Sequence, residues 1–301
     1  MNKYIKFLNS ISTKYATILY NEDLKKHCSF RIGGKAKFFI IVNNEKTLLN
    51  ILKLNNKKIL IIGAGTNILF RNKKFNGTFI KLGEAFNKIK TASSKKKYKI
   101  IEVGAGTNLF KLNLFLRKHG LSGLEWSFGI PGTVGGAIKM NAGAYGHEFG
   151  ELVESVKVFS KGKIFWTKDF SFSYRSSSFK DCIILSVKLK LSLGKTTNIE
   201  IAQKEYLSRR KESQPYSDFS AGSVFKRIIN KEEIIYPAKI IDNLGLKGVK
   251  IGDAEISTKH AGFIINKGNA KSKDVVNLIR FIKKMVKKKT KQDLQEEIII
   301  F

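Results

Sequence analysis

The chain has 301 residues, 43% of them hydrophobic and 11% aromatic, which is enough to build two or three cored domains and excludes a disordered protein. A formal net charge of +32 raises nucleic acid or a membrane surface as partner, yet only eight of the 56 basic residues are arginine, the residue suited to bidentate phosphate contacts. The lysines are spread along the chain and read as a solvated surface, so neither nucleic acid nor membrane insertion is expected, and the two distant cysteines, Cys28 and Cys182, exclude a cysteine metal cluster and fit a reducing compartment.

At the N-terminus, apolar residues are interrupted by Lys6, Asn9, Ser10 and Lys14, unlike the continuous apolar segment of a signal peptide. No run approaches the roughly 18 apolar residues of a membrane span, so a cytoplasmic protein is expected. Residues 36–42 read as a buried strand after the turn RIGGK, and residues 47–54 as a short helix. Residues 59–70, ILIIGAGTNILF, form an apolar strand that runs into Gly63, Ala64, Gly65, Thr66 and Asn67. A strand ending in a glycine turn presents successive backbone N–H groups, which suits a phosphate. Ile68 occupies the third glycine position of the dinucleotide fingerprint, and no G-x-x-x-x-G-K-[ST] loop occurs, so a Rossmann fold and a P-loop are disfavoured. The same pentapeptide returns at residues 104–108, where it reads as a strand-to-helix turn before a helix closed by Gly120.

Residues 127–146, SFGIPGTVGGAIKMNAGAYG, are so rich in glycine that neither a packed helix nor a regular strand is expected there. Apolar Ile130, Val134, Ile138 and Met140 alternate with the glycines and argue for a loop fixed on a core, with bare amides available to a ligand. Strands follow at 152–160, 163–167 and 182–191, a helix at 200–210, and a domain boundary is placed near residue 195. The last third reads as a helix over 237–244, an amphipathic helix over 272–289 and a final strand, LQEEIIIF.

Four histidines without ligand spacing make zinc or iron unlikely, and no side-chain nucleophile with a base partner is visible. Two glycine cradles in one half and scattered polar residues in the other suit a large phosphate-bearing cofactor facing a substrate domain. Arg175, Ser223 and Glu297 stand out from their surroundings, although each also fits a plain role: a surface arginine, a turn serine and an edge-strand charge.

Taken in order, GAGTN, GIPGTVGGAIKMNAGAYG, YRSSSFK, RRKESQP, SAGSVFK, GLKG and HAGFIIN resemble the UDP-N-acetylenolpyruvoylglucosamine reductases of bacterial cell-wall synthesis, over residues 29–297. The resemblance implies an α+β chain: an FAD-binding fold of the vanillyl-alcohol-oxidase (PCMH) type in two subdomains, 1–85 and 86–195, with an α+β substrate-binding domain over 196–301. It implies non-covalent FAD held by Gly63, Ala64, Gly65, Thr66, Asn67, Ile130, Pro131, Gly132, Thr133, Gly136, Ala137, Asn141, Gly143, Ala144 and Tyr145. NADPH would reduce the flavin, which would pass hydride to the enolpyruvyl β-carbon of UDP-N-acetylglucosamine enolpyruvate. Arg175 matches the arginine that steadies negative charge, Ser223 the proton donor and Glu297 the C-terminal glutamate; Tyr174, Gln214 and Lys226 fall at substrate contacts. A monomer of the compact variety, without a substrate-capping insertion, is expected. Arg227 and Ile228 replace the family's usual Asn-Pro, and Gly262 replaces an Asn. A flavin oxidase of the same fold and a basic nucleic-acid-binding protein are the alternatives.

Overall fold

The structure is a computed structural model that describes residues 3–54, 58–229 and 233–301. Residues 230–232, within the short connection that suggests the compact variety, lie outside the described residues. The chain divides into two compact units: Met1–Glu22, Ala36–Ala64 and Asn76–Ser208 make the first, and Asp23–Lys35, Gly65–Phe75 and Arg209–Phe301 the second.

Unit one holds two large sheets and two short two-stranded ones among the described residues. The smaller of the large pair orders its strands Ala16–Asp23, Lys35–Val42, Lys74–Leu82 and Ile59–Ile62, the last two parallel with Ile59 opposite Thr78. The strand Lys35–Val42 is continuously apolar from Phe38 on, as strands covered on both faces are. Phe38, Phe39, Ile40 and Val42 are indeed buried, and helix α1 (Lys3–Ser10) packs on helix α2 (Glu45–Leu54) through Tyr4, Leu8, Leu48 and Ile51. The larger sheet runs Lys163–Thr167, Val153–Ser160, Ile183–Leu193, Tyr98–Gly104 and Ile89–Ser94, with Leu121–Ser122 beside the long central strand. Helix α3 (Leu109–Lys118) starts where Asn108 Oδ1 accepts from the Phe110 N–H at 2.8 Å, and ends before Gly120 at φ +60°.

The glycine-rich stretch contains a helix, α4 (Val134–Met140), where none was expected. Glycine costs about 1 kcal/mol per residue in a helix. Here it is the backbone approach that requires it: a Cβ on Gly135 would lie 2.9 Å from Ala105 Cβ. Packing overrides propensity.

Unit two is built on an antiparallel sheet ordered Phe219–Ser223, Phe263–Asn266, Ala254–Ile256 and Lys250–Ile251. Helix α5 (Thr196–Ser213) crosses the unit boundary and is longer at both ends than its sequence pattern suggests. Helix α6 (Pro237–Asn243) begins on its proline and ends before Gly245 at φ +67°; helix α7 (Ser272–Thr290) buries Val275, Leu278, Ile279, Ile282 and Val286. The expected final strand shrinks to Ile299–Ile300, paired in parallel with Ile68–Leu69. The Glu297 N–H donates to the Val224 carbonyl at 2.7 Å, whereas the Ile299 N–H donates to the Asn67 carbonyl at 3.0 Å. The segment changes partners between these residues, so no continuous ladder forms. Among the described residues, no helix is long and apolar enough to cross a membrane.

Candidate active site

In unit one the two glycine turns lie against each other. A Cβ on Gly63 would sit 2.5 Å from Thr133 Oγ1, and that oxygen caps α4 by accepting from the Gly136 N–H at 3.3 Å. Helix α4 is hung on the second GAGTN copy, with the Gly135 N–H donating to the Ala105 carbonyl at 2.8 Å and the Val134 N–H to the Thr107 carbonyl at 2.9 Å. The second copy is therefore scaffold. Gly136 differs from Gly63 and Gly135: it is exposed, and a Cβ there would meet only its own cap, at 3.5 Å. Among the described residues, no protein group accepts from the N–H groups of Ala64, Gly132 or Thr133.

Ile130 closes a turn on Ser127 at 2.9 Å, Pro131 is exposed and Ala137 is buried in α4. Asn141 ends α4 in the left-handed region at φ 44°, with its amide fully engaged by protein: Nδ2 donates to Glu148 Oε2 at 2.6 Å and to the Ser173 carbonyl at 3.1 Å, and Oδ1 accepts from the Gly150 N–H at 2.9 Å. Its backbone N–H is engaged as well, donating to the Ile138 carbonyl at 3.2 Å, so the side chain and the N–H are both taken up by the fold. Gly143 and Ala144 pair with Glu148 and His147; Tyr145, at φ +55°, is exposed with its ring 5.0 Å from that of Tyr206.

Arg175 sits at a hairpin tip between Phe172–Ser173 and Ser176–Ser177, and its φ of +53° is a strained conformation for a residue with a side chain. Its guanidinium lies 5.0 Å over the Tyr174 ring and Nη2 donates to the Gly143 carbonyl at 3.0 Å. This hairpin is thereby tied to the Gly143–Tyr145 turn. Sequence reasoning missed Lys139, the one charge in residues 127–146. Its Nζ donates to the carbonyls of Phe179, Lys180 (2.6 Å) and Cys182 (3.3 Å), and burial pushes its ammonium below the usual lysine range. It anchors α4.

In unit two, Gly65 takes φ +66°, and a Cβ there would overlap the His27 carbonyl and lie 2.8 Å from Cys28 Cα. Thr66 and Asn67 complete the turn, and the N–H groups of Gly65 and Asn67 have no protein acceptor among the described residues. Ser223 ends the strand Phe219–Ser223 after a bulge: Ser220 pairs with Ile265 and Ser223 with Phe263. Gly222, inside the bulge, has φ +76° and nothing within 4 Å of a Cβ position. The Ser223 hydroxyl has no hydrogen-bond partner among the described residues. Beyond it, Phe225 bridges Glu296, the Lys226 N–H donates to the Gln295 carbonyl at 2.9 Å, and the Asn67 amide donates to the Glu297 carbonyl at 3.2 Å. Ser223, Lys226, Glu297 and Asn67 are thus brought onto one framework. The Gln214 side chain faces inward to Arg210 Nη1 at 3.4 Å.

Residues 214–301 match the family described as UDP-N-acetylenolpyruvoylglucosamine reductase, C-terminal domain, and residues 36–168 the FAD binding domain family. The UDP-N-acetylenolpyruvoylglucosamine reductase of Thermotoga petrophila is 42% identical over 285 residues, covering 93% of this chain and 97% of that protein. The chain belongs to the UDP-N-acetylenolpyruvoylglucosamine reductase family. The reductase of Clostridium tetani, 37% identical over 310 residues, covers all of this chain and 98% of its own. The crystal structure of the Thermus caldophilus reductase superposes with a TM-score of 0.80 at 31% identity, covering 95% of this chain and 98% of that one. The family's FAD domain and separate C-terminal domain are the α+β arrangement expected from the sequence. The residues fit the cofactor: FAD carries a diphosphate, and in unit one the amides of Ala64, Gly132 and Thr133, without a protein acceptor among the described residues, are what such an anion needs, as in unit two are those of Gly65 and Asn67.

Proposed function

We propose that this reductase-family protein converts UDP-N-acetylglucosamine enolpyruvate to UDP-N-acetylmuramate with NADPH as reductant and non-covalently held FAD. The observation that carries the reading is the Ser223 hydroxyl, uncommitted to protein among the described residues and next to the open space at Gly222, on the framework that also carries Glu297. FAD, when bound, supplies the hydride that adds to the enolpyruvyl β-carbon. The chain's own groups handle the charge and the proton. Addition leaves negative charge on the α-carbon and its carboxylate, and the Arg175 guanidinium is suited to hold that carboxylate by two parallel hydrogen bonds. Ser223 gives its proton to the α-carbon, and Glu297 supports that transfer from the following segment. Tyr174, Gln214 and Lys226 orient the sugar nucleotide.

The three-domain division at residues 85 and 195 is part of this proposal. It is supported by the three larger sheets, whose strands fall within 16–82, 89–193 and 219–266; the two-residue pair of Ile299–Ile300 with Ile68–Leu69 crosses it. A monomer in the cytoplasm, where the nucleotide substrate is soluble, completes the reading.

Anaerobic mixing of the purified protein with NADPH, then with the enolpyruvyl sugar nucleotide, tests it. Loss and then return of the flavin's yellow colour is expected. Colour unaffected by NADPH points to an oxidase of the same fold, and a colourless protein overturns the flavin assignment.

A further inference from the structure

Residues 23–35 belong to unit two although most of that unit comes from the last third of the sequence. The segment is held tightly. The Leu24 N–H donates to the Gly34 carbonyl at 2.9 Å, the Lys35 N–H to the Lys73 carbonyl at 2.9 Å, and a Cβ on Gly34 would overlap the carbonyls of Asn72 and Lys73. Buried Asn266 reaches it from the central sheet, its Nδ2 donating to the Phe30 carbonyl at 3.1 Å. The Arg31 guanidinium lies 5.7 Å from the Phe219 ring centre, at the start of the strand that ends in Ser223. A strap so fixed can act as a reference point for what it touches.

Ser29 touches two things. Its N–H donates to the Gly65 carbonyl at 3.1 Å, and its hydroxyl donates to the Ser220 carbonyl at 2.6 Å, with a longer second contact to the Gly65 carbonyl at 3.5 Å. Gly65 belongs to the turn with bare amides. Ser220 is the last residue in register before the bulge that delivers Ser223, and Gly222 inside that bulge has open space at its Cβ position. A bulge re-aims the side chain that follows it, so its aim depends on what pins its near edge. A hydroxyl at 2.6 Å is at the short end for an O–H···O bond and is half-buried, where such bonds hold geometry best.

From these contacts we infer that Ser29 is a positioning residue for the reaction: its hydroxyl fixes the Ser220–Ser223 bulge and thereby the direction of the Ser223 hydroxyl, while its backbone N–H holds the Gly65 turn. The inference rests on the role of Ser223 given above. The two functions are separable by substitution, because Ser29→Ala removes the hydroxyl with its 2.6 Å bond to Ser220 and keeps the shorter of the Gly65 contacts, the N–H bond at 3.1 Å, and Ser29→Thr keeps both groups.

The test uses the full-length FAD-loaded protein. In Ser29→Ala, reduction of the bound flavin by NADPH stays within about 2-fold of wild type, while the substrate half-reaction slows about 10-fold or more, the size expected when a positioned group loses its orientation. Ser29→Thr restores the rate. Hydrogen exchange of peptides spanning residues 219–224, read without substrate, becomes faster in Ser29→Ala and returns toward wild type in Ser29→Thr. Equal slowing of both half-reactions, unchanged exchange in 219–224, or failure of Ser29→Thr to restore either readout overturns the assignment. If wild type itself does not reduce the enolpyruvyl substrate, the proposed function fails, and the exchange experiment still decides whether Ser29 pins the bulge.

Discussion

Gly63 and Thr133 meet at a point where no side-chain carbon fits: a Cβ at residue 63 would lie 2.5 Å from the Thr133 hydroxyl oxygen, the same oxygen that caps α4. One glycine turn thus packs on the residue that starts the helix of the other. Gly63→Ala must displace Thr133, break the cap or move the turn. The expected result is destabilisation by about 1–3 kcal/mol, the usual range for forcing a methyl into a packed site, with weaker retention of FAD on gel filtration. Thr133→Ala alone should cost about 1 kcal/mol through the lost cap. Because Thr133→Ala removes the clashing oxygen, Gly63→Ala should cost less in that background than in wild type, and a double-mutant cycle by chemical denaturation measures the difference. Additive costs would mean the two turns are independent.

How much of this was legible in the sequence depends on what each residue faces. GAGTN at 63–67 was readable as a turn, and the different task of its twin at 104–108 was readable partly from the helix that follows and partly from the family resemblance. Helix α4 was not, because glycine at 135 and 136 lowers helix propensity, while the reason for Gly135 is Ala105, thirty positions away. The same holds for Ser29, whose partners are Gly65 and Ser220. Arg175 stood out as a rare arginine, yet its left-handed backbone and its bond to Gly143 depend on a turn that spacing alone does not specify. The last strand was overread because three consecutive isoleucines signal a strand but not which partner each residue takes.

Ser223→Ala removes a hydroxyl that no protein group engages among the described residues, so little stability should be lost. Rapid-mixing measurements are expected to show unchanged reduction by NADPH and a substrate step slower by about 100-fold to 10,000-fold, the usual contribution of a positioned general acid. Comparable losses in the two steps would remove Ser223 from the role of proton donor.

Arg175→Lys tests whether the guanidinium plane matters. An ammonium cannot make two parallel bonds to a carboxylate, and its point charge loses the planar stacking over the Tyr174 ring. Turnover should fall about 10-fold or more, since a charge-assisted pair contributes roughly 1.5–3 kcal/mol. Steady-state kinetics with retained turnover would return Arg175 to the status of a surface residue.

His260 gives a pH dependence with a definite sign. Burial holds its imidazole below the usual 6.5, with Lys247 pushing the same way and Asp242 opposing, and Nδ1 accepts from the Gly262 N–H at 3.1 Å, a bond only the neutral ring can make at that nitrogen. With the folded value below the unfolded one, the unfolded chain binds more protons between the two, so the contribution is present above pH 6.5 and is lost as pH falls through the folded value. Urea midpoints measured at several pH values should fall more steeply below pH 6.5 in wild type than in His260→Gln, which cannot titrate. Gly262 matters to the same contact: a Cβ there would lie 3.0 Å from His260 Cε1 and 3.2 Å from Ala238 Cβ. Gly262→Asn should therefore shift the ring, weaken the Nδ1 bond and flatten the acid limb. Identical acid limbs in all three proteins would show that His260 does not carry the effect.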